Sequence, residues 1–136
     1  MRIGFIGLGT MGAAAALNLI KGGHQLAVCD LDPERANEHL ELGATWADTP
    51  AMVAKDADIV FTMVFGPKQI EQVVRGENGL LSAMGPGQIW VDMTTNQPTL
   101  ARALGSDLAA KGVQSVDAPV TGAVDGARNG NMTQFA

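Results

Sequence analysis

Three glycines near the amino terminus have the spacing of a phosphate-binding turn. They lie between an apolar run and a segment of helical period, in the stretch Gly7-Leu8-Gly9-Thr10-Met11-Gly12. In such a turn Gly7 permits a tight bend, Gly9 lets the backbone approach a pyrophosphate, and Gly12 lets helix pack on strand. The amides from Gly9 through Thr10 and Met11 would then face the anion at the helix start. With 17 glycines in the chain the spacing alone is weak, and a turn that merely saves space is the alternative, but the strand-turn-helix context favours dinucleotide binding.

An acid follows the second predicted strand. Asp30 stands where a carboxylate can accept hydrogen bonds from the hydroxyls of an adenosine ribose and would repel a 2′-phosphate. Leu31 occupies the next position and Arg35 lies a helical turn further on. This arrangement predicts NAD as the cofactor, with NADP less favoured. A second interpretation is that Asp30 only caps the next helix together with Asp32, and the two roles can coexist.

Short apolar runs alternate with helical segments, and Gly or Pro marks most of the junctions. Strands are predicted at 2–6, 26–29, 45–46, 59–64, 89–91 and 113–116, and helices at 11–21, 33–43, 67–75 and 98–111, with a brief helix beginning at Pro50. This βα alternation predicts an α/β fold of the Rossmann type, in which helices cover both faces of a doubly wound, mostly parallel sheet. Ligands of such sheets bind at the carboxyl ends of the strands.

Composition limits the possible partners and surroundings. A length of 136 residues predicts one domain, and the formal net charge of −5 argues against nucleic acid as a partner. Cys29 is the only cysteine, which favours a reducing compartment such as the cytoplasm. No apolar run reaches the ~20 residues that cross a membrane, and no Cys/His cluster predicts a metal site. The segment 131–136 has the pattern of an incomplete strand, whose open edge makes a homo-oligomer possible.

Three further stretches complete a resemblance to the β-hydroxyacid dehydrogenases, the family of 3-hydroxyisobutyrate dehydrogenase and tartronate semialdehyde reductase. Asp92-Met93-Thr94-Thr95, followed by Pro98, is similar to the family's Asp-x-Ser-Thr motif. The resemblance implies that Thr95 contacts the cofactor near its nicotinamide. Met63-Val64 stands where the family has a strand end that lines the dinucleotide, although here the proline that usually follows is delayed to Pro67.

The segment from Asp117 to Ala123 resembles the family's substrate signature, in which Ser-Gly-Gly holds the substrate carboxylate. By resemblance Thr121, Gly122 and Ala123 would contact a small hydroxy acid, although Ala123 replaces the usual second glycine. A glycine beside a hydroxyl residue can itself present amides to an anion, and a plain glycine-rich connection is the alternative.

The resemblance covers the amino-terminal, NAD-binding half of the family. It implies hydride transfer between nicotinamide and a 3-hydroxy acid, with the catalytic lysine in a second, helical domain that these residues do not include. The chain alone is therefore expected to be inactive, and no catalytic role is predicted for Lys21, Lys55, Lys68 or Lys111. Two other interpretations stay open: a non-catalytic nucleotide-binding or interaction module, and a fragment of an imine reductase or phosphogluconate-type dehydrogenase, against which Asp30 argues because those enzymes generally use NADP.

Overall fold

A computed structural model describes residues 1–121 and 133–134. Up to residue 117 strands and helices alternate as the sequence predicts. The strands are β1 (Arg2–Ile6), β2 (Gln25–Cys29), β3 (Thr45–Trp46), β4 (Ile59–Thr62), β5 (Ile89–Asp92), β6 (Gln114–Asp117), β7 (Val120–Thr121) and β8 (Thr133–Gln134). The α-helices are α1 (Thr10–Lys21), α2 (Asn37–Glu41), α3 (Pro50–Ala54), α4 (Pro67–Arg75) and α5 (Pro98–Ala109), with 3-10 turns at Pro33–Ala36 and Leu80–Ser82.

Six of the strands form one parallel sheet in the order β3-β2-β1-β4-β5-β6. The chain places β2 and β3 in turn on one side of β1. It then crosses to the other side of β1, where β4, β5 and β6 follow in order. Phe5 in β1 lies in register with Val28 of β2 and Phe61 of β4. The strand order therefore reverses between β1 and β4, and this reversal opens a crevice at the carboxyl ends of the strands. The predicted Rossmann-type sheet is confirmed.

The sheet divides the apolar core into two clusters because successive side chains of a strand point to opposite faces. On one face Phe5 and Val28 pack with Ala16 of α1. On the other face Val60 and Trp90 pack with residues of α3, α4 and α5, which include Val53, Val74 and Leu104. Helices thus cover both faces, as expected for strands that are apolar on both sides.

Local signals explain where most of the helices begin and end. Asp32 and Thr49 accept hydrogen bonds from the amides of Glu34 and Met52, and a proline follows each of them at the first helical position. Gly23 and Gly43 close helices with φ values of +91° and +102°, which glycine adopts without the steric cost of a side chain. The segment from 33 to 43 differs slightly from prediction, because its first turn is a 3-10 helix and only 37–41 is α-helical.

The ends and edges of the strands are relevant to the homo-oligomer that the sequence made possible. β4 ends at Thr62, two residues before its predicted end, and β6 is an edge strand whose four residues are all exposed. Thr133 and Gln134, in the segment read as an incomplete strand, pair antiparallel with β7. Among the residues described, no helix combines the length and the apolar character needed to cross a bilayer.

Candidate functional site

A cleft of about 1110 Å³ opens at the point where the strand order reverses. Its walls contain all nine residues that the sequence predicted to bind a cofactor, namely Gly7, Gly9, Thr10, Met11, Gly12, Asp30, Met63, Val64 and Thr95. These residues come from the loops that follow β1, β2, β4 and β5 and from the first turn of α1. The parallel sheet brings them together because it places the carboxyl ends of those strands along one edge.

Close packing explains why glycine stands at two positions of the first loop. Gly7 has φ +102°, and a Cβ atom there would lie 2.1 Å from the carbonyl oxygen of Met63. A Cβ atom on Gly12 would lie 2.1 Å from the carbonyl oxygen of Gly7. Either contact would push apart backbone segments that now touch, so both glycines serve the fold of the loop.

Gly9 differs from Gly7 and Gly12, the other two glycines of the motif, in the space around it. A Cβ atom built there meets no atom of the described residues within 4 Å, and the residue's φ of −64° and ψ of −177° are open to any amino acid. The fold therefore does not require glycine here. The open space beside Gly9 belongs to the cleft, so a side chain at this position would occupy room that a ligand could use.

The start of α1 is suited to an anion. Gly9 is the N-cap residue, it provides no side-chain hydrogen bond, and the first turn contains no acidic residue. The helix therefore presents its first amides without the side-chain acceptor that Asp32 and Thr49 supply elsewhere. Unpaired amides and the positive end of the helix dipole together favour a phosphate group.

Asp30 is half-buried at the end of β2, and both of its carboxylate oxygens accept backbone hydrogen bonds. The amide of Leu8 donates to Oδ2 at 2.7 Å, and the amide of Asp32 donates to Oδ1 at 2.9 Å. The carboxylate thus joins the glycine loop to the loop after β2. An ionised carboxylate offers about four acceptor positions, so two remain for a ligand hydroxyl. The bond to Asp32 agrees with the capping interpretation, and the free positions keep the ribose interpretation open.

The loops after β4 and β5 form the other side of the cleft. Thr95 is exposed and lines the cleft, whereas Thr94 is only 1% exposed and its Oγ1 accepts a hydrogen bond of 3.1 Å from the amide of Val64. Asp92 lies beneath them, and its Oδ1 accepts from the Thr62 hydroxyl at 2.9 Å and from the Thr94 amide at 3.0 Å. Burial raises the pKa of the Asp92 carboxyl above its usual range, against the opposing effect of these hydrogen bonds.

Burial also dominates the chemistry of the single thiol. Cys29 lies at the end of β2 and borders the cleft. Desolvation, reinforced by the negative charges of Asp30 and Asp48, raises its pKa to about 11. The thiol is therefore protonated at neutral pH, and it does not have the character of a reactive nucleophile.

Sequence reasoning missed several residues of the cleft wall. Some come from α4 and the loop before it, namely Phe65, Lys68, Gln69, Gln72 and Val73, and others are Leu31, Arg35 and Asp48. They belong to no motif. The signal that could have found the first group is the strongly amphipathic pattern of α4, where Ile70 and Val74 are buried while Lys68, Gln69 and Gln72 stay exposed.

The predicted substrate segment leaves the sheet beside this region. Asp117 ends β6, and the amide of Ala118 donates to the carbonyl oxygen of Asp92 at 2.8 Å. Thr121 belongs to β7, and Gly122 and Ala123 lie outside the described residues. A smaller cavity of about 580 Å³ lies between α5 and β6, and its lining includes Arg102 and Ser115.

Comparison with known proteins also indicates a dinucleotide-binding domain, over nearly the whole chain. The family model for the NAD binding domain of 6-phosphogluconate dehydrogenase matches residues 2–136. A probable mitochondrial 3-hydroxyisobutyrate dehydrogenase of Dictyostelium discoideum is 40% identical over 131 residues, which make up 96% of this chain and 41% of that protein. The 2-hydroxy-3-oxopropionate reductase of Escherichia coli (strain K12) is 41% identical over 133 residues, 98% of this chain and 45% of the reductase.

A solved structure described as Psf3 in complex with NADP+ and 2-OPP superposes with a TM-score of 0.91 at 30% identity, and covers 97% of this chain and 47% of Psf3. The chain spans less than half the length of the curated relatives it matches, 41% and 45% in the two cases above. These matches confirm the resemblance that the sequence stretches indicated. They include a structure that holds NADP+, so they leave the choice between NAD and NADP open.

Proposed function

The chain belongs to the NAD binding domain family of 6-phosphogluconate dehydrogenase and resembles 3-hydroxyisobutyrate dehydrogenases, and from this premise we propose that residues 1–136 form one domain that binds NAD in the cleft. The pyrophosphate lies against the first turn of α1, the adenosine ribose beside Asp30, and the nicotinamide on the side of Met63, Val64 and Thr95. The observation that carries the proposal is the uncapped start of α1 next to the open space at Gly9.

The cleft fits a dinucleotide in size and in the placement of its polar groups. Its volume of about 1110 Å³ lies just above the roughly 300 to 1,000 Å³ that ligand pockets usually provide. Strand β1 lies between β2 and β4, so a pyrophosphate above β1 sends one nucleoside toward Asp30 and the other toward Val64 and Thr95. NAD, when bound, accepts or supplies a hydride, while the chain's residues bind it, orient it and form the wall behind it.

We propose NAD rather than NADP as the preferred cofactor. The two remaining acceptor positions of Asp30 suit the hydroxyls of a ribose, and its charge opposes a 2′-phosphate. Leu31, the next residue, is fully exposed and provides no charge. Arg35 lines the same cleft but has Asp32 within 3.9 Å, so an acidic partner already stands beside the nearest arginine.

The reaction that we propose for the whole protein is oxidation of a small 3-hydroxy acid, or reduction of the corresponding oxo acid. The relatives that support it are a 3-hydroxyisobutyrate dehydrogenase and a 2-hydroxy-3-oxopropionate reductase. In this proposal Thr121, Gly122 and Ala123 contact the substrate's carboxylate. We assign no residue of this chain as the general acid or base that transfers the hydroxyl proton. Loss of such a group typically lowers the reaction rate by ~10² to 10⁴.

Titration of the chain with NADH and with NADPH tests the cofactor assignment directly. We expect tighter binding of NADH. Asp30→Ala should weaken NADH binding by about 10-fold or more, because a hydrogen bond to a charged group contributes about 1.5 to 3 kcal/mol, and should weaken NADPH binding less. Asp56→Ala is a matched control, since Asp56 is exposed and does not line the cleft.

Two results would contradict parts of this assignment. NADH affinity unchanged in Asp30→Ala would mean that the carboxylate only organises the loops, and tighter binding of NADPH by the wild type would overturn the preference. Thermal unfolding of each variant shows whether the lost bonds to Leu8 and Asp32 have disturbed the fold. A third measurement follows the formation of NADH by absorbance when NAD+ and 3-hydroxyisobutyrate are added to the chain. We expect cofactor binding without turnover, and ordinary enzyme rates would refute that expectation.

A further inference from the structure

A buried hydrogen-bond network lies beneath the loops that follow β4 and β5. Its members are Trp90, Thr62, Asp92 and Thr94, each no more than 2% exposed, together with the amide of Val64. None of these side chains except that of Val64 lines the large cleft. A buried carboxylate costs free energy unless hydrogen bonds compensate for its lost hydration, so this arrangement requires an explanation.

The chemistry of the groups sets the direction of every hydrogen bond. The Trp90 indole Nε1–H can only donate, and it donates to Oγ1 of Thr62 at 3.0 Å. The Val64 amide can only donate, and it donates to Oγ1 of Thr94 at 3.1 Å. Both threonine hydroxyls are thereby left to donate, and both stabilise the ionised carboxylate of Asp92. The carboxylate is the common acceptor of two branches, one that runs from Trp90 through Thr62 and one that runs from Val64 through Thr94.

The branch through Thr94 connects the two cleft loops. Oδ1 of Asp92 accepts the amide of Thr94 at 3.0 Å, which fixes the backbone where the chain turns into the cleft at Thr95. The hydroxyl of the same Thr94 holds the amide of Val64, whose side chain lines the cleft. One buried threonine therefore links the Met63–Val64 wall to the Met93–Thr95 wall, beside the backbone hydrogen bond of 2.8 Å from the Met93 amide to the Thr62 carbonyl oxygen.

We propose that Asp92 and Thr94 are positioning residues that hold these two walls at the separation required by the nicotinamide half of the dinucleotide. The inference deepens the proposed function and rests on it. Neither residue contacts the cofactor, and both act through the backbone of Val64 and Thr95. The adenosine half lies against other loops, which are joined by a separate hydrogen bond from the Leu8 amide to Asp30.

Comparison of two ligands separates positioning from general stability. NAD+ occupies both halves of the cleft, whereas ADP-ribose keeps the adenosine, the pyrophosphate and the second ribose and lacks only the nicotinamide ring. Isothermal titration of the full chain with each ligand is to be done for the wild type, Thr94→Val, Thr94→Ser and the control Thr99→Val, whose Thr99 is exposed on α5.

In Thr94→Val the Val64 amide loses its acceptor while the side chain keeps its shape. We expect NAD+ to bind about 3- to 10-fold more weakly, the effect of one lost hydrogen bond, while ADP-ribose binds as in the wild type. Thr94→Ser keeps the hydroxyl and should bind NAD+ like the wild type, and so should Thr99→Val. Asp92→Asn, which keeps an acceptor oxygen, should bind NAD+ more tightly than Asp92→Ala.

Equal weakening of both ligands in Thr94→Val, or no weakening of either, would overturn the inference. If the wild type bound neither ligand, the proposed function itself would fail, which is a different outcome. Should Thr94→Val not fold, amide hydrogen exchange of the wild type and Thr94→Ser decides the matter. The Val64 amide is expected to be protected in both without ligand, and rapid exchange there in the folded wild type would refute the network.

Discussion

Gly9→Ala is the substitution that best separates ligand binding from folding at the glycine loop. Within the part of the chain that the structure describes, the added Cβ atom meets no atom within 4 Å, and the backbone has φ −64° and ψ −177°, which alanine adopts without strain. Alanine is a poorer N-cap residue than glycine, but it also reduces the conformational freedom of the unfolded chain, and each effect is about 1 kcal/mol or less. The free energy of unfolding should therefore change little.

Binding should respond very differently. The methyl group would stand between the start of α1 and the pyrophosphate, so the anion could no longer approach the amides closely. That interaction is worth about 1 to 2 kcal/mol, and its loss corresponds to NADH affinity about 5- to 30-fold lower. Isothermal titration with NADH and thermal unfolding of the same preparation measure the two effects together.

Gly12→Ala is the matched comparison on the same loop. Its Cβ atom would lie 2.1 Å from the carbonyl oxygen of Gly7, so helix and strand must separate. Overpacking of this kind costs about 1 to 3 kcal/mol, or roughly 4 to 12 °C in Tm for a chain of this size. If Gly9→Ala bound NADH like the wild type, or lost as much stability as Gly12→Ala, the placement of the pyrophosphate at Gly9 would be wrong.

Three further predictions concern the rest of the molecule. Cys29, with its pKa raised to about 11, should resist iodoacetamide in the native chain at pH 8 and react in denaturant, and rapid labelling of the native chain would contradict its burial. Because the thiol loses its proton more readily in the unfolded chain, the free energy of unfolding should fall as pH rises from about 9 to 11. His39 donates from Nε2 to the Ala13 carbonyl, while its buried Nδ1 has no hydrogen-bond partner among residues 1–121 and 133–134. His39→Leu should therefore change the free energy of unfolding by about 1 kcal/mol or less, against about 2 to 5 kcal/mol for Leu104→Ala. Equal losses in a urea titration would show that His39 contributes more than this one bond. Light scattering should detect self-association through the exposed edge of β6, and a monomer at high concentration would count against a homo-oligomer.

Local chemistry explains why so much of the fold could be predicted from the sequence. Strand and helix periods, the Asp32-Pro33 and Thr49-Pro50 starts, and the glycines that end helices depend on residues only a few positions apart. The glycine loop and Asp30 could be placed for the same reason, since a loop that follows a parallel strand must lie at that strand's carboxyl end. The nine predicted cofactor residues therefore share one cleft.

Contacts between distant segments were decided only by the tertiary structure. Gly4 reads as an ordinary strand residue, yet a Cβ atom there would lie 2.4 Å from Cγ1 of Val53 on α3. Apart from the family resemblance, which pointed to Thr95, the residues Thr94-Thr95 do not reveal which hydroxyl faces the cleft, because that depends on Asp92 lying beside Thr62 of a neighbouring strand. Such choices arise from the order of strands in the sheet and from competition for buried space and hydrogen bonds, which involve residues far apart in the chain and leave no periodic trace in it.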